Sequence, residues 1–245
     1  MYLGGCFGDF DSGAALDNFA PYSGLHLLTV CIGALLVTSV AAAGRALRGA
    51  HETILRRALG IFGVAYWLSY NIWWNRNGLD FATGLPLHLC DLNGVIAPVA
   101  LLTLNRWLRA TLYFWAFTLT TQAFIQPALT FGPTAALFWW FWAQHTIIIA
   151  CAVYDLVVLG FRPNWQDLGR VYLVSALYLA LVVPVNLGLG SDYGFIGDLP
   201  PEKIPPFIAA LGPWPARAFI LAALAAVAFA IAELPWQITK RRKIA

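Results

Sequence analysis

Apolar runs of about 20 residues recur seven times along the chain, each closed by turn chemistry or charge. They cover about 22–44, 58–76, 85–104, 110–128, 134–159, 171–190 and 214–236. A helix of roughly 20 apolar residues spans a bilayer core. The breaks between runs read GRALRGAHE (44–52), FGPT (131–134) and GFRPNWQD (160–167), and a long Pro/Gly-rich loop follows from Ser191 to Pro213. This pattern predicts an all-α fold, a polytopic membrane bundle of seven transmembrane helices forming a single domain over residues 1–245. No internal repeat is visible, which removes the usual pointer to an inverted-repeat transporter.

Composition agrees with the pattern. The chain is 60% hydrophobic and 11% charged, with a mean hydropathy of +0.70. Soluble domains sit nearer 45–50% apolar and about 25% charged. The net charge of +3 matters less than its placement. Twelve of the 15 Lys and Arg fall on one side of the seven-span topology: Arg45, Arg48, Arg56, Arg57, Arg106, Arg109, Arg162, Arg170 and the KRRK tail (240–243). Arg76, Lys203 and Arg217 fall on the other. The positive-inside rule then places the N-terminus outside and the C-terminus in the cytoplasm. The acidic N-terminal stretch (Asp9, Asp11, Asp17) suits translocation. Membrane lipids are the expected first partners. No basic stretch carries the stacking aromatics of a nucleic-acid surface. None of the four cysteines, Cys6, Cys31, Cys90 and Cys151, stands in a CxxC pair.

That topology gives depth to the polar positions. His26, Asn71, His88, Asp91, Gln122, Gln126 and Asn186 fall toward the outer ends of their spans, and Gln144 and His145 near the middle of theirs. Polar groups in hydrocarbon face the bundle interior or water, so six spans point to one polar cavity toward the outside. The inner half is nearly bare apart from Tyr154 and Asp155, and Asp155 has a loop arginine to pair with. His88 and Asp91 are spaced i, i+3 and share a helical face, as do Gln122 and Gln126 at i, i+4. Cys90 lies about 200° round the helix from His88, a poor geometry for a Cys–His pair, though a histidine of another span such as His145 could meet it.

Two readings of each polar group stay open. His88 or His145 reads as a base with Asp91 as its orienter, or as glue between helices. His26, His88, His145 and Asp91 lack the spacing of a metal motif, so neither metal nor cofactor is called for. Trp73, Trp74, Trp139, Trp140, Trp142 and Trp214 read as an outer aromatic belt, and Trp107, Trp165 and Trp236 as an inner one. A retinal Schiff base needs a lysine in the last span, and none lies between Lys203 and Lys240.

The stretches SGLHLL (23–28), LPLHLCDLN (85–93), TQAFIQP (121–127), WAQH (142–145) and VNLGLGSDYGFI…ALGPWP (185–215) resemble the YwaF-like family of bacterial integral membrane proteins, in family order. The resemblance implies a multi-pass plasma-membrane protein and brings Tyr193 into the candidate site. Two positions depart from the family: Asp192 stands where Asn is common, and Ala216–Arg217 where an aromatic pair follows GPWP. The family is also distantly similar to an animal transmembrane acyltransferase that remodels ether phospholipids. That similarity implies a Pro–Cys–His order; here the positions are Pro86, Leu87 and His88, without the cysteine. The functional expectation is a lipid-directed acyltransferase or hydrolase with His88, His145 and Asp91 as catalytic groups. His26, Asn71, Gln122, Gln126, Gln144, Asn186 and Tyr193 would bind substrate. A transporter or ligand-binding protein using the same cavity, and a purely structural role for the cluster, are the alternatives.

Overall fold

The computed structural model of the protein describes residues 17–241. The N-terminal stretch with Cys6, Asp9 and Asp11, and Arg242 and Lys243 of the tail, lie outside the described residues. The described chain is helical: α1 (Gly24–Ala46), α2 (Ala50–Trp74), α3 (Leu89–Thr103), α4 (Arg106–Phe114), α5 (Gln122–Ile125), α6 (Ala136–Val157), α7 (Trp165–Leu189), α8 (Pro206–Ala209) and α9 (Ala216–Arg241). A π-helical segment, Trp115–Thr120, joins α4 to α5. Among the described residues there is no strand, only an isolated bridge between Asn18 and Phe131.

Four helices are long and apolar enough to cross a membrane: α1, α6, α7 and Ala216–Ile238 of α9. The other three expected spans fall short of that measure. α2 dilutes its apolar run with Glu52, Arg56 and Arg57 at one end and Tyr70, Asn71 and Trp74 at the other. α3 has 15 residues, about 22 Å of helix, and α4 gives way to the π segment.

Local chemistry sets the helix ends. Ser23 caps α1 by accepting from His26 N–H, and Asn105 caps α4. A capping box of Asn164 and Asp167 starts α7 six residues before the apolar run does; it satisfies two of the donors a helix start leaves open. α3 begins late because the residue before a proline avoids helical backbone. Leu85 precedes Pro86, and His88 is still extended (φ −64, ψ 147) as the N-cap.

α3 is the central rod, packed against α2, α4 and α6. Its contact with α2 is close: a Cβ on Gly63 would stand 2.7 Å from Pro98 Cβ, and one on Gly60 2.6 Å from Leu102 Cγ. Small residues allow helix backbones to approach in this way. The core of aromatic and aliphatic side chains is completed by Phe114, Trp115, Tyr154 and Phe229, each at most 1% exposed. Elsewhere the rods turn leucine, isoleucine and phenylalanine outward, among them Leu27, Leu35, Ile61, Leu177 and Phe219.

The bundle has two unlike ends. At the end where α1 finishes and α2 starts, Arg106 and Arg170 bond Asp167, and Arg109 bonds Asp155 at 2.8 Å, as expected for a loop arginine. Glu52 accepts from Tyr154 Oη (2.9 Å), and Arg56 donates to Leu101 O. Glu233 is fully buried in the same half of α9. This end is therefore richer in buried charge than the sequence reading has it, because these groups neutralise or solvate one another out of water.

At the opposite end the chain between α2 and α3 is irregular, and side chains satisfy its backbone. Trp74 Nε1 donates to Thr83 O and Asn75 Nδ2 to Gly84 O. Tyr178 Oη donates to Leu87 O, and Tyr193 Oη donates to Phe81 O and accepts from Leu85 N–H. Irregular backbone at membrane depth is tolerated only where it is so satisfied. Tyr193→Phe would leave the Phe81 carbonyl to solvent, since Phe81 is exposed, and strand the half-buried Leu85 N–H, at a cost of about 1–3 kcal/mol. A fall in thermal stability of that order, measured in detergent, is expected.

Candidate functional site

His88 and Asp91 stand at the irregular end, and both are half-buried. His88 is fixed by the loop after α7. Gly194 N–H donates to its Nδ1 at 3.3 Å. The rings of Tyr193 and Phe195 lie 5.3 and 5.6 Å from its centroid. An imidazole that accepts at Nδ1 carries its proton on Nε2, and His88 Nε2 takes no hydrogen bond among the described residues.

Asp91 faces another way. Its Oδ1 accepts from Gln144 Nε2 at 3.1 Å, and its backbone carbonyl from Trp67 Nε1 at 2.8 Å. Gln144 Nε2 also donates to Cys90 O (3.2 Å). Gln144 Oε1 is buried without a partner. Gly94 makes room for this clamp, since a Cβ there would stand 3.0 Å from Trp67 and 3.1 Å from Gln144. The Asp91 carboxyl also accepts from the backbone N–H of His88, the N-cap residue three positions before it. Tyr70, Cys90 and Tyr178 lie within electrostatic reach of Asp91, so α2, α3, α6 and α7 meet around this carboxyl.

The side chains of His88 and Asp91 are therefore not hydrogen-bonded to each other. The i, i+3 face expected of them does not form, because His88 stands before the helix begins. Gln122 and Gln126 part company for a similar reason. Gln126 ends α5 with non-helical backbone (φ −134, ψ 76) and accepts from Tyr22 Oη. Gln122 is exposed and donates to Thr118 O.

The remaining expected site residues serve the frame. His26 accepts from Tyr22 N–H at Nδ1 (2.9 Å) and donates from Nε2 to Phe124 O (3.0 Å), so both ring nitrogens are used. His145 donates from Nδ1 to Phe141 O (2.7 Å) and stacks 4.3 Å from the Phe141 ring. It faces Phe124 and Phe141 rather than Cys90 or Asp91. Asn71 folds back on Trp67 O. Asn186, 1% exposed, ties Ser191 and Tyr193 into the loop after α7. Trp142 is buried among Phe19, Phe124 and Phe138, not in the aromatic belt, whereas Trp139, Trp107 and Trp165 are exposed.

Several neighbours of the site escape a reading by sequence. Trp67 and Tyr178 reach it from other helices. Asn93, fully buried, donates to Thr120 Oγ1 of the π segment (3.1 Å) and leaves its Oδ1 unpartnered. Such π segments recur at functional sites, but WAFTLT carries no signal for one. A groove of about 620 Å³ lies at the other end of the bundle, lined by Arg45, Arg48, Glu52 and Val158, away from this chemistry. Among the described residues no three His, Cys, Asp or Glu side chains converge in a way that could hold a metal ion.

The loop after α7 also titrates. Burial pushes the Asp192 carboxyl up to about 6, against the opposing pull of Gly197 N–H and the Arg217 charge. The folded state then binds a proton between roughly pH 4 and 6 that the unfolded chain, near 3.9, does not. This group's contribution improves as pH falls through 6, and its cost is fully present above. Asp192→Asn keeps an acceptor for Gly197 N–H. It is expected to raise stability at pH 7 by roughly 1–2 kcal/mol, with the gain fading by pH 4 in unfolding curves.

No curated protein and no solved structure matches the chain. Residues 21–232 match the TMEM164 family. That stretch takes in every helix from α1 to α8, most of α9, and the whole of the site around His88 and Asp91, so the chain is a member of the TMEM164 family of membrane proteins.

Proposed function

We propose that the chain is a lipid-directed acyltransferase or hydrolase of the bacterial plasma membrane, YwaF-like in type. It crosses the bilayer seven times, with the N-terminus and the histidine end outside and the charged end in the cytoplasm. The uneven distribution of Lys and Arg supports the orientation. One observation carries the activity: the Asp91 carboxyl and the proton-bearing, unbonded Nε2 of His88 belong to residues three apart at the start of α3, at the end of the bundle where α2, α6 and α7 converge. A base and a hydrogen-bond donor are what ester chemistry needs.

In this reading Asp91 takes the proton of an attacking hydroxyl, from a second lipid or from water. The oxygen attacks the ester carbonyl carbon, and His88 Nε2–H donates to the carbonyl oxygen as it becomes negative. Collapse breaks the ester C–O bond, and the departing alkoxide takes the proton back from Asp91. No bond to Cys90 is required, which fits the missing cysteine before His88.

The test is product formation by purified protein in phospholipid vesicles, followed by mass spectrometry of the lipids. A lyso-lipid, a free fatty acid or a re-acylated species that grows with time and protein supports the reading. An unchanged lipid profile, with saturable solute binding in the same vesicles, would replace it by the transport reading.

A further inference from the structure

Arg217 is a cation out of place. It is one of three Lys or Arg on its side of the predicted topology, and it departs from the aromatic pair that the YwaF-like resemblance leads one to expect after GPWP. It is 1% exposed, among the largest fully buried side chains in the protein. Among the described residues no carboxylate pairs with it within salt-bridge distance. Instead its Nε donates to Phe195 O at 3.3 Å, and a terminal nitrogen donates to Gly197 O. Asp192 closes the same turn by accepting from Gly197 N–H at 2.8 Å. A buried guanidinium is expensive unless its donors are used, and here both bonded donors hold one short loop.

That loop is the one that holds His88. Gly194, whose N–H reaches His88 Nδ1, adopts left-handed backbone (φ 70, ψ 10), and a Cβ on it would stand 2.3 Å from Tyr178 Oη. The turn therefore has little freedom to shift without losing the histidine. Phe195, whose carbonyl Arg217 binds, also packs its ring on the imidazole.

We propose that Arg217 is a positioning residue: by clamping the carbonyls of Phe195 and Gly197 it presents Gly194 N–H to His88, and so fixes which ring nitrogen carries the proton that meets the substrate. The catalytic meaning of this device rests on the lipid-directed reading above; the device itself does not.

The experiment follows His88 directly. Nitrogen NMR of ¹⁵N-histidine-labelled full-length protein in nanodiscs, assigned by loss of one signal in His88→Ala, reports the ring tautomer. Wild type is expected to show Nε2–H. Arg217→Gln is expected to give a mixture of tautomers, and Arg217→Lys, which keeps a cation and several donors, to restore most of the Nε2–H form. Arg76→Gln, at an exposed arginine of the same side, controls for loss of charge. In the lipid assay Arg217→Gln is expected to lower kcat by up to about 10²-fold, the cost of a small misplacement, with KM within about twofold.

If Arg217→Gln does not fold, Asp192→Ala loosens the same turn from its other side and is expected to shift the tautomer in the same direction. An unchanged His88 signal in Arg217→Gln, or in Asp192→Ala where that variant stands in, overturns the proposal. So does an equal change in Arg76→Gln. A wild type that forms no lipid product defeats the enzyme reading alone, since the tautomer still decides the role of Arg217.

Discussion

Asp91→Asn is expected to lower lipid turnover by about 10²–10⁴-fold, the usual contribution of a general base, with the fold intact. Gln144 Nε2 binds Asp91 Oδ1, and an asparagine offers the same oxygen in the same place. The variant loses the ability to take a proton and one of the two acceptor oxygens, while the bond to Gln144 stays. His88→Ala removes a donor to the developing oxyanion, a loss worth about 10²–10³-fold in kcat. His26→Ala is the contrasting case. Both its ring nitrogens serve backbone groups, so it should lose stability and keep its rate per folded molecule. Initial rates at matched amounts of folded protein separate the three. Equal losses in all of them would assign the polar end to packing rather than chemistry.

Arg109→Ala is expected to destabilise the protein by about 3–5 kcal/mol, the cost of leaving a buried charge without its partner. Asp155 is 2% exposed, and both its oxygens accept from Arg109 Nε, at 2.8 and 3.0 Å. The guanidinium also lies 4.7 Å from the Phe161 ring centre. The double variant Arg109→Leu/Asp155→Leu removes the stranded carboxylate as well, so it should recover much of the loss. Thermal unfolding of the single and double variants checks this. A double variant as unstable as Arg109→Ala would mean that packing on Phe161, not the ion pair, closes this end.

The all-helical character of the chain and its four long apolar helices were legible, because apolar runs and charged breaks are local properties of the chain. The pairing of Asp155 with a loop arginine was legible too, since a carboxylate near the end of an apolar run has few other options. Helix ends were less so. α2 begins at Ala50, eight residues before its apolar run, because charged turns remain helical beyond the greasy stretch. The early start of α7 had a readable sign in Asn164 and Asp167, which hydropathy alone passes over. The site itself was half legible. LPLHLCDLNG did mark the place where helices converge, but helical spacing was applied to His88, which precedes the helix. What holds His88 and Asp91 comes from Gly194 and Gln144, 106 and 53 residues away in sequence. No local pattern encodes such partners.

The irregular stretch before α3 has a consequence for how the protein is made. Its carbonyls and N–H groups wait on Tyr178 and Tyr193, which leave the ribosome about ninety residues or more after Leu87 does. Until then the segment has no internal partners for these groups, and hydrocarbon offers none. On the seven-span reading proposed above, α3 is expected to wait at the translocon or the membrane surface while α4 to α7 are synthesised, and to seat itself afterwards. Ribosome-stalled chains that end before Tyr178 should leave Leu85–His88 open to a water-borne protease, and chains that extend past Gly197 should protect it. The last third of the polypeptide would then serve as an intramolecular chaperone for the stretch that carries His88.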